Sequence, residues 1–345
     1  MGANNTQRTM IYTDLQTERK LAVLDQVSAQ TNSAQQTIEK DWWVTQVLRV
    51  LFSLPYAEHL SFKGGTSLSK AWNIIERFSE DIDIAISREF LGFVGELSRT
   101  QVSDKLRRAA CSFVREKMQN DLREGLIALG IAPEKFNVYV NITSVSTTDP
   151  EVIYIDYESV LPSSEYIAHT VKVEVGGRSM AEPVQCVSIQ SQIDAVLSQA
   201  MFVQPAFEVN VVVPERTFLE KLMLLHEEFA KPMTEVRTER MSRHLYDLQR
   251  MLHTDIAQRA LSDEALYRAV VEHRRKFINL HDFDYDMLYP KHLSLEIPAN
   301  VVELWRKDYE TMQRTMIYGQ SVTFDELLAE IRQLNHCISE LPYQK

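Results

Sequence analysis

Apolar residues recur every three or four positions at Leu15, Leu21, Leu24 and Val27, and again at Ile38, Trp42, Trp43, Val47 and Leu51. That is the period of a helix with one buried face. The pattern predicts one helix over residues 13–32 and a second from an N-cap at Asn32-Ser33 to near Pro55. A longer amphipathic helix is predicted over residues 100–130, carrying Val102, Leu106, Ala110, Phe113, Val114, Met118, Leu122 and Leu126 and closed by Gly130. The period then falls to two. Phe136 to Ile142, Val152 to Tyr157 and Val171 to Val175 alternate as strands do, and Val211 to Val213 is a short apolar run. From Pro214 the helical period returns, predicting helices at 215–229, 238–253, 256–278, 298–317 and 324–341.

Strands set between helices make a mixed α/β (α+β) sheet flanked by helices rather than a helical bundle, followed here by a helical C-terminal part. The fading of strand signals places a soft boundary near residue 255, giving a catalytic domain over 1–255 and a helical domain over 256–345.

Composition narrows the class. The chain has 345 residues, 45% of them hydrophobic, enough for a sizeable core. No apolar run is long enough to span a bilayer, and MGANNTQRTM lacks the apolar segment of a secretory signal. Cys111, Cys186 and Cys337 lie far apart, without metal-ligand spacing. A cytoplasmic protein with reduced thiols is the expectation. The formal net charge of −11 argues against broad, nonspecific nucleic-acid binding. It leaves room for a local basic patch or a brief encounter with an RNA end.

One stretch concentrates the chemistry: Phe62 to Ile86, FKGGTSLSKAWNIIERFSEDIDIAI. Lys63-Gly64-Gly65-Thr66-Ser67 reads as a glycine-bearing turn, Leu68 to Phe78 as a helix, and Asp81-Ile82-Asp83-Ile84 as a strand. Alternation puts Asp81 and Asp83 on one face and Ile82, Ile84 and Ile86 on the other. Paired carboxylates repel unless a cation lies between them, and hard oxygen ligands of this kind suit Mg²⁺ together with substrate phosphates. The turn upstream offers backbone N–H groups to phosphate. A phosphate seat followed by a metal-binding pair is what phosphoryl or nucleotidyl transfer requires.

These residues resemble the first motif of the nucleotidyltransferase superfamily, a GG-[ST] turn followed by [DE]-x-[DE]. The longer wording KGGTSLSKAW…RFSEDIDI looks like the AbiEii branch, the nucleotidyltransferase toxins of abortive-infection systems, related to MenT-type toxins. The run Ile38 to Val44 resembles the EKD-aromatic-aromatic segment ahead of that motif. Its tryptophans read as core, and Lys40 and Asp41 as a solvated face. In VKVEV, Lys172 and Glu174 share the face opposite Val171, Val173 and Val175. Glu174 is then a third metal carboxylate, a general base, or an exposed strand residue. VKVEVGGRSMAEP resembles the family's second motif, which implies a functional Glu174 and makes Arg178 a candidate contact for nucleotide phosphate or RNA. Asp156 is a competing carboxylate of lower rank.

Pro214 to His226 reads as a largely apolar helix containing Lys221. The family resemblance places a lysine there, implying contact with the β and γ phosphates and neutralisation of the leaving pyrophosphate; the alternative is a surface lysine. Arg216 and Glu220 read as a structural i, i+4 pair. Ser242-Arg243-His244-Leu245-Tyr246-Asp247-Leu248 resembles the R-x-x-D-type motif. It implies that Arg243 contacts nucleotide and that Asp247 orients Lys221 or the incoming nucleotide; the plain alternative, compatible with it, is that Asp247 pairs with Arg243, its i−4 neighbour. His273 to Lys276 is a basic cluster, either a solvated face or an RNA-facing patch. Asp308 to Met312, Met316 to Gly319 and Phe324 to Leu327 resemble the family's C-terminal helices.

The resemblance therefore implies a nucleotidyltransferase toxin that uses Mg²⁺ (two ions) and an NTP. Lys63, Gly64, Gly65, Thr66, Ser67, Arg178, Lys221 and Arg243 would bind nucleotide. Asp81, Asp83 and Glu174 would bind metal, with Lys221 and Asp247 completing the catalytic set. The acceptor it implies is the tRNA 3′ end, and the partner a winged-helix antitoxin. Other readings keep the chemistry with a protein or small-molecule acceptor, or make the chain a nucleotide-binding module without turnover.

Overall fold

The computed structural model describes residues 10–141, 150–162, 168–180 and 182–343. Two helices lead, α1 (Thr17–Thr31) and α2 (Gln35–Leu51). Asn32 adopts a left-handed conformation, φ 57°, and so closes α1 rather than capping α2. Then come β1 (Leu60–Lys63), α3 (Gly64–Lys70) and β2 (Asp81–Ile86). The helix expected over Leu68 to Phe78 starts instead at the glycines and ends at Lys70. Beyond it Asn73 takes a positive φ, and the 76–78 segment is drawn out to pair with the C-terminal part: Phe78 N–H donates to Met316 O, and Tyr318 N–H to Glu76 O.

The long amphipathic helix forms as continuous turns over 101–128, with α4 (Arg107–Phe113) and α5 (Gln119–Ala128) bracketing wider turns, and Gly130 follows with φ 93°. The strands β3 (Phe136–Val140), β4 (Glu151–Tyr157), β5 (Thr170–Gly176), β6 (Val184–Ile189) and β7 (Phe207–Val212) complete a seven-stranded mixed sheet in the order β3-β4-β5-β2-β1-β7-β6, with α6 (Gln192–Val196) between β6 and β7. Ile142, assigned to the third strand by pattern, lies outside the described residues. Val211 and Val212 of the apolar run end the longer β7, and Val213 is the N-cap of the next helix. The edge strand β6 was missed because most of its residues are exposed and carry no alternation.

The last helices are α7 (Pro214–Phe229), α8 (Ser242–Leu252), α9 (Ile256–Ser262), α10 (Glu264–His273), α11 (Val302–Thr315) and α12 (Phe324–Ser339). The single helix expected over 256–278 breaks at Asp263, which caps α10 by accepting from Leu266 N–H at 2.9 Å.

Burial follows the alternation. Ile82, Ile84, Ile153, Ile155, Val171, Val173 and Val175 are fully buried and pack with Leu24, Trp42, Trp43 and Leu122 from the helices on one face of the sheet. A second apolar cluster joins α7 and α8 (Phe218, Leu222, Leu245, Leu248) to Trp305, Tyr309 and Ile331 of the C-terminal helices. Lys40 and Asp41 are not on a solvated face. Lys40 is 1% exposed, its ammonium 3.0 Å from Glu80 and 3.1 Å from Ala168 O; Asp41 takes Lys70 Nζ at 2.6 Å. No helix among the described residues is long and apolar enough to cross a membrane.

Candidate active site

The site is built where β1, β2 and β5 lie side by side. In the antiparallel β1–β2 pair Lys63 faces Asp83, and in the parallel β2–β5 pair Asp81 faces Lys172 and Asp83 faces Glu174. Register partners project to the same face. Asp81, Asp83 and Glu174 therefore crowd the side of the sheet opposite the apolar core. Burial and then the charges of Asp83 and Asp81 push the Glu174 carboxyl up to about 7. Burial pushes Asp83 up as well; Lys63 opposes this and Asp81 adds to it. Asp81 Oδ1 is buried without a hydrogen-bond partner.

The Gly64-Gly65 turn is fitted to this cluster. Gly64 has φ 78°, and a Cβ there would overlap the Asp83 carboxylate. A Cβ on Gly65 would lie 2.7 Å from Arg77 Nη2 and 2.9 Å from Ser79 Oγ. Thr66 and Ser67 turn inward instead: Thr66 Oγ1 donates to Asp81 O at 2.5 Å and Ser67 Oγ to Gly64 O at 2.8 Å. Both are buried, so their hydroxyls brace the turn and do not face the cleft.

Across the cleft, α7 and α8 supply the cations. Lys221 Nζ lies 2.8 Å from Asp247 Oδ2. Arg77 grips the same carboxylate with two bonds, Nε to Oδ1 at 2.7 Å and Nη2 to Oδ2 at 2.8 Å. Asp247 is fully buried; against the cost of burial, Arg77 and then Lys221 hold it well below the usual carboxylate range. Two cations share one anion, so the cluster keeps a net positive charge. Burial lowers Lys221, and Asp247 opposes this. His244 Nδ1 is 3.5 Å from Lys221 Nζ; burial and the neighbouring cations keep its imidazole well below its ordinary pKa. Among the described residues the side chains of Lys63 and Arg243 make no hydrogen bond or ion pair, so both can meet an anion in the cleft.

The cleft encloses about 630 Å³. Lys63, Gly64, Gly65, Asp81, Asp83, Glu174, Arg178, Lys221 and Arg243 all line it, and Asp247 supports it from beneath. Asp156 stands apart, bonded by Thr170 Oγ1 at 2.5 Å. Arg77, Ser79 and His244 also line the cleft and escaped the sequence reading. The signal for Arg77 was a lone cation among Ile74, Ile75 and Phe78. Arg216 pairs with Glu220 at 2.6 Å as expected, and Glu220 borders the cleft; against burial, Arg216 and Lys63 pull it down to about 2. The basic run after His273 is spent internally. Arg274 is buried in a two-bond grip on Glu227, Arg275 pairs with Asp286, and Lys276 with Glu96.

The donor set fits a divalent cation: three crowded carboxylates, two of them raised, and one buried oxygen lacking any partner. Among the described residues no three acidic, histidine or cysteine side chains converge into a complete metal site. Substrate phosphates would have to supply the remaining ligands, as is usual for Mg²⁺.

A mixed sheet bearing paired carboxylates beside a diglycine turn, faced by a buried lysine, has the groups that phosphoryl or nucleotidyl transfer requires. Residues 46–330 match the family model described as nucleotidyl transferase AbiEii toxin, type IV TA system, and the chain belongs to that family. The family implies an NTP as substrate and an antitoxin as partner. Among solved structures, the chain is similar to MenT4, nucleotidyltransferase toxin Rv2826c from Mycobacterium tuberculosis H37Rv, with TM-score 0.50 and 17% identity over 95% of this chain and 90% of that one. That likeness is one of fold. JHP933 from Helicobacter pylori aligns with TM-score 0.43 and 13% identity over 89% of this chain and 93% of that one. Among curated proteins none matches the chain in sequence.

Proposed function

We propose that the protein transfers a nucleoside monophosphate from an NTP to an acceptor hydroxyl, the 3′ end of tRNA, in a Mg²⁺-dependent reaction restrained by a winged-helix antitoxin. The observation that carries this reading is the pairing of Asp83 with Glu174 beside Asp81, across the cleft from Lys221. Asp81 and Asp83, with Glu174 as third carboxylate, would hold two Mg²⁺ ions together with triphosphate oxygens. When bound, the ions supply Lewis acidity and neutralise phosphate charge. Lys63, Arg178 and Arg243 bind phosphate oxygens. The bare Gly64-Gly65 backbone admits them closely. Where Glu174 is not held by the ions, it takes the proton of the attacking hydroxyl instead. Lys221 balances the charge that grows on the departing pyrophosphate, and Asp247 with Arg77 holds it in place.

The test uses purified protein, Mg²⁺, α-labelled NTPs and total tRNA, half of it oxidised by periodate at the 3′ diol. Label is expected on intact tRNA alone. Label on oxidised tRNA would overturn the 3′-end assignment, and no label on any RNA would overturn the acceptor.

A further inference from the structure

The face of the sheet that carries the carboxylates does not end at Glu174. One row of register partners runs outward from the cleft: Asp81 on β2, Lys172 on β5, Tyr154 on β4 and Tyr139 on β3. All four are half-buried. At about 4.8 Å per strand the row covers about 14 Å. The two tyrosine rings stack on each other, centroids 5.3 Å apart and planes 14° from parallel. Among the described residues neither ring joins an apolar cluster, and the Lys172 side chain makes no hydrogen bond or ion pair. The opposite face of the same strands is the sealed core, with Val171, Val173, Ile153 and Ile155 fully buried. An aromatic pair and a free ammonium in line with a catalytic carboxylate are therefore turned to the solvent side.

The reaction geometry says what should lie there. Lys221 is joined through Asp247 to Arg77, which packs against Gly65 just after β1. An in-line displacement sends pyrophosphate toward Lys221 and brings the acceptor hydroxyl from the opposite side. Beyond the carboxylates, away from Gly65, the sheet continues into β5 and β4. The net charge of −11 denies the chain a broad electrostatic grip on RNA. Base stacking on aromatic faces needs no such charge and is indifferent to base identity.

We propose that Tyr154 and Tyr139, with Lys172 between them and the carboxylates, form a stacking platform for the unpaired 3′-terminal nucleotides of the acceptor RNA. Lys172 meets the backbone phosphate of the terminal nucleotide, and the tyrosines hold the bases behind it. This rests on an RNA end being the acceptor. The competing account of the tyrosines is a cross-strand pair that only stabilises β3 against β4.

The experiment measures transfer to tRNA and, separately, anisotropy of a labelled single-stranded RNA oligonucleotide, in wild type, Tyr154→Thr, Tyr154→Phe, Tyr139→Thr/Tyr154→Thr and Lys172→Ala. Threonine keeps the strand propensity and removes the ring. Loss of one stack is expected to raise the KM for tRNA about tenfold, with the KM for NTP unchanged and Tyr154→Phe close to wild type. Lys172→Ala is expected to flatten the slope of log K against log salt by about 0.7. Ring-loss variants that melt as wild type does and keep its KM for tRNA would overturn the platform. If wild type labels no RNA, the anisotropy arm decides. Oligonucleotide binding that the double variant loses upholds the platform while the acceptor assignment falls; binding that is absent, or indifferent to the rings, overturns it.

Discussion

Gly64 and Asp83 occupy each other's space: the left-handed α-carbon of Gly64, φ 78°, faces the Asp83 carboxylate so closely that no side chain fits between them. Gly64→Ala therefore meets two penalties, a strained backbone costing about 1–2 kcal/mol and displacement of the Asp83 carboxylate. The expected result is a drop in kcat of about 100-fold or more with a loss of stability within about 3 kcal/mol, measured by single-turnover assay and denaturant melts. Unaltered kcat would mean that Asp83 need not stand where it does.

Asp247 offers a prediction about stability. Its carboxylate serves both Arg77 and Lys221 inside the protein, so Asp247→Asn strands two buried cations. A loss of about 3–5 kcal/mol is expected in urea melts. Replacing Arg77 and Asp247 together should cost less than the sum of the two single changes, because the uncompensated charge is what destabilises. Additive losses would show that the pair does not act as a unit.

Glu174 sets a pH dependence in metal-free protein. Its folded-state pKa of about 7 lies above the unfolded value, so the folded state holds the extra proton between the two. Below the unfolded pKa both states are protonated and the group is neutral for stability. As pH rises through about 7 the folded state must carry the crowded charge, and stability falls. In EDTA, Glu174→Gln should gain about 1–2 kcal/mol over wild type at pH 8 and almost nothing near pH 4. An equal gain at both pH values would show that ionisation is not its source.

The half of the site that rests on strand alternation was legible in the chain. A period of two put Asp81 and Asp83 on one face and Lys172 and Glu174 on one face; the choice of Glu174, like that of Lys63, Arg178 and Arg243, came with the motifs around them. What depends on distant pairing was not. Arg77 meets Asp247 across 170 residues, and no local pattern announces a partner at that range. Lys40 looked solvated because its neighbours are charged; only the fold brings Glu80 and Ala168 to its ammonium. Thr66 and Ser67 had the right chemistry for phosphate, yet their hydroxyls are spent on backbone carbonyls, Thr66 on that of Asp81 in β2 and Ser67 on that of Gly64 in the turn. The edge strand β6 carries no period because both its faces are largely open.

The most direct measurement follows each phosphorus of the nucleotide. Wild type and Asp83→Asn are incubated with Mg²⁺, tRNA and NTP labelled at either the α or the γ phosphate. Wild type should move the α label to the acceptor and release the γ label as pyrophosphate, and Asp83→Asn, folded by its melt, should do neither. Transfer of the α label undiminished in Asp83→Asn, or arrival of the γ label on the acceptor, would contradict a nucleotidyl-transfer centre at these carboxylates.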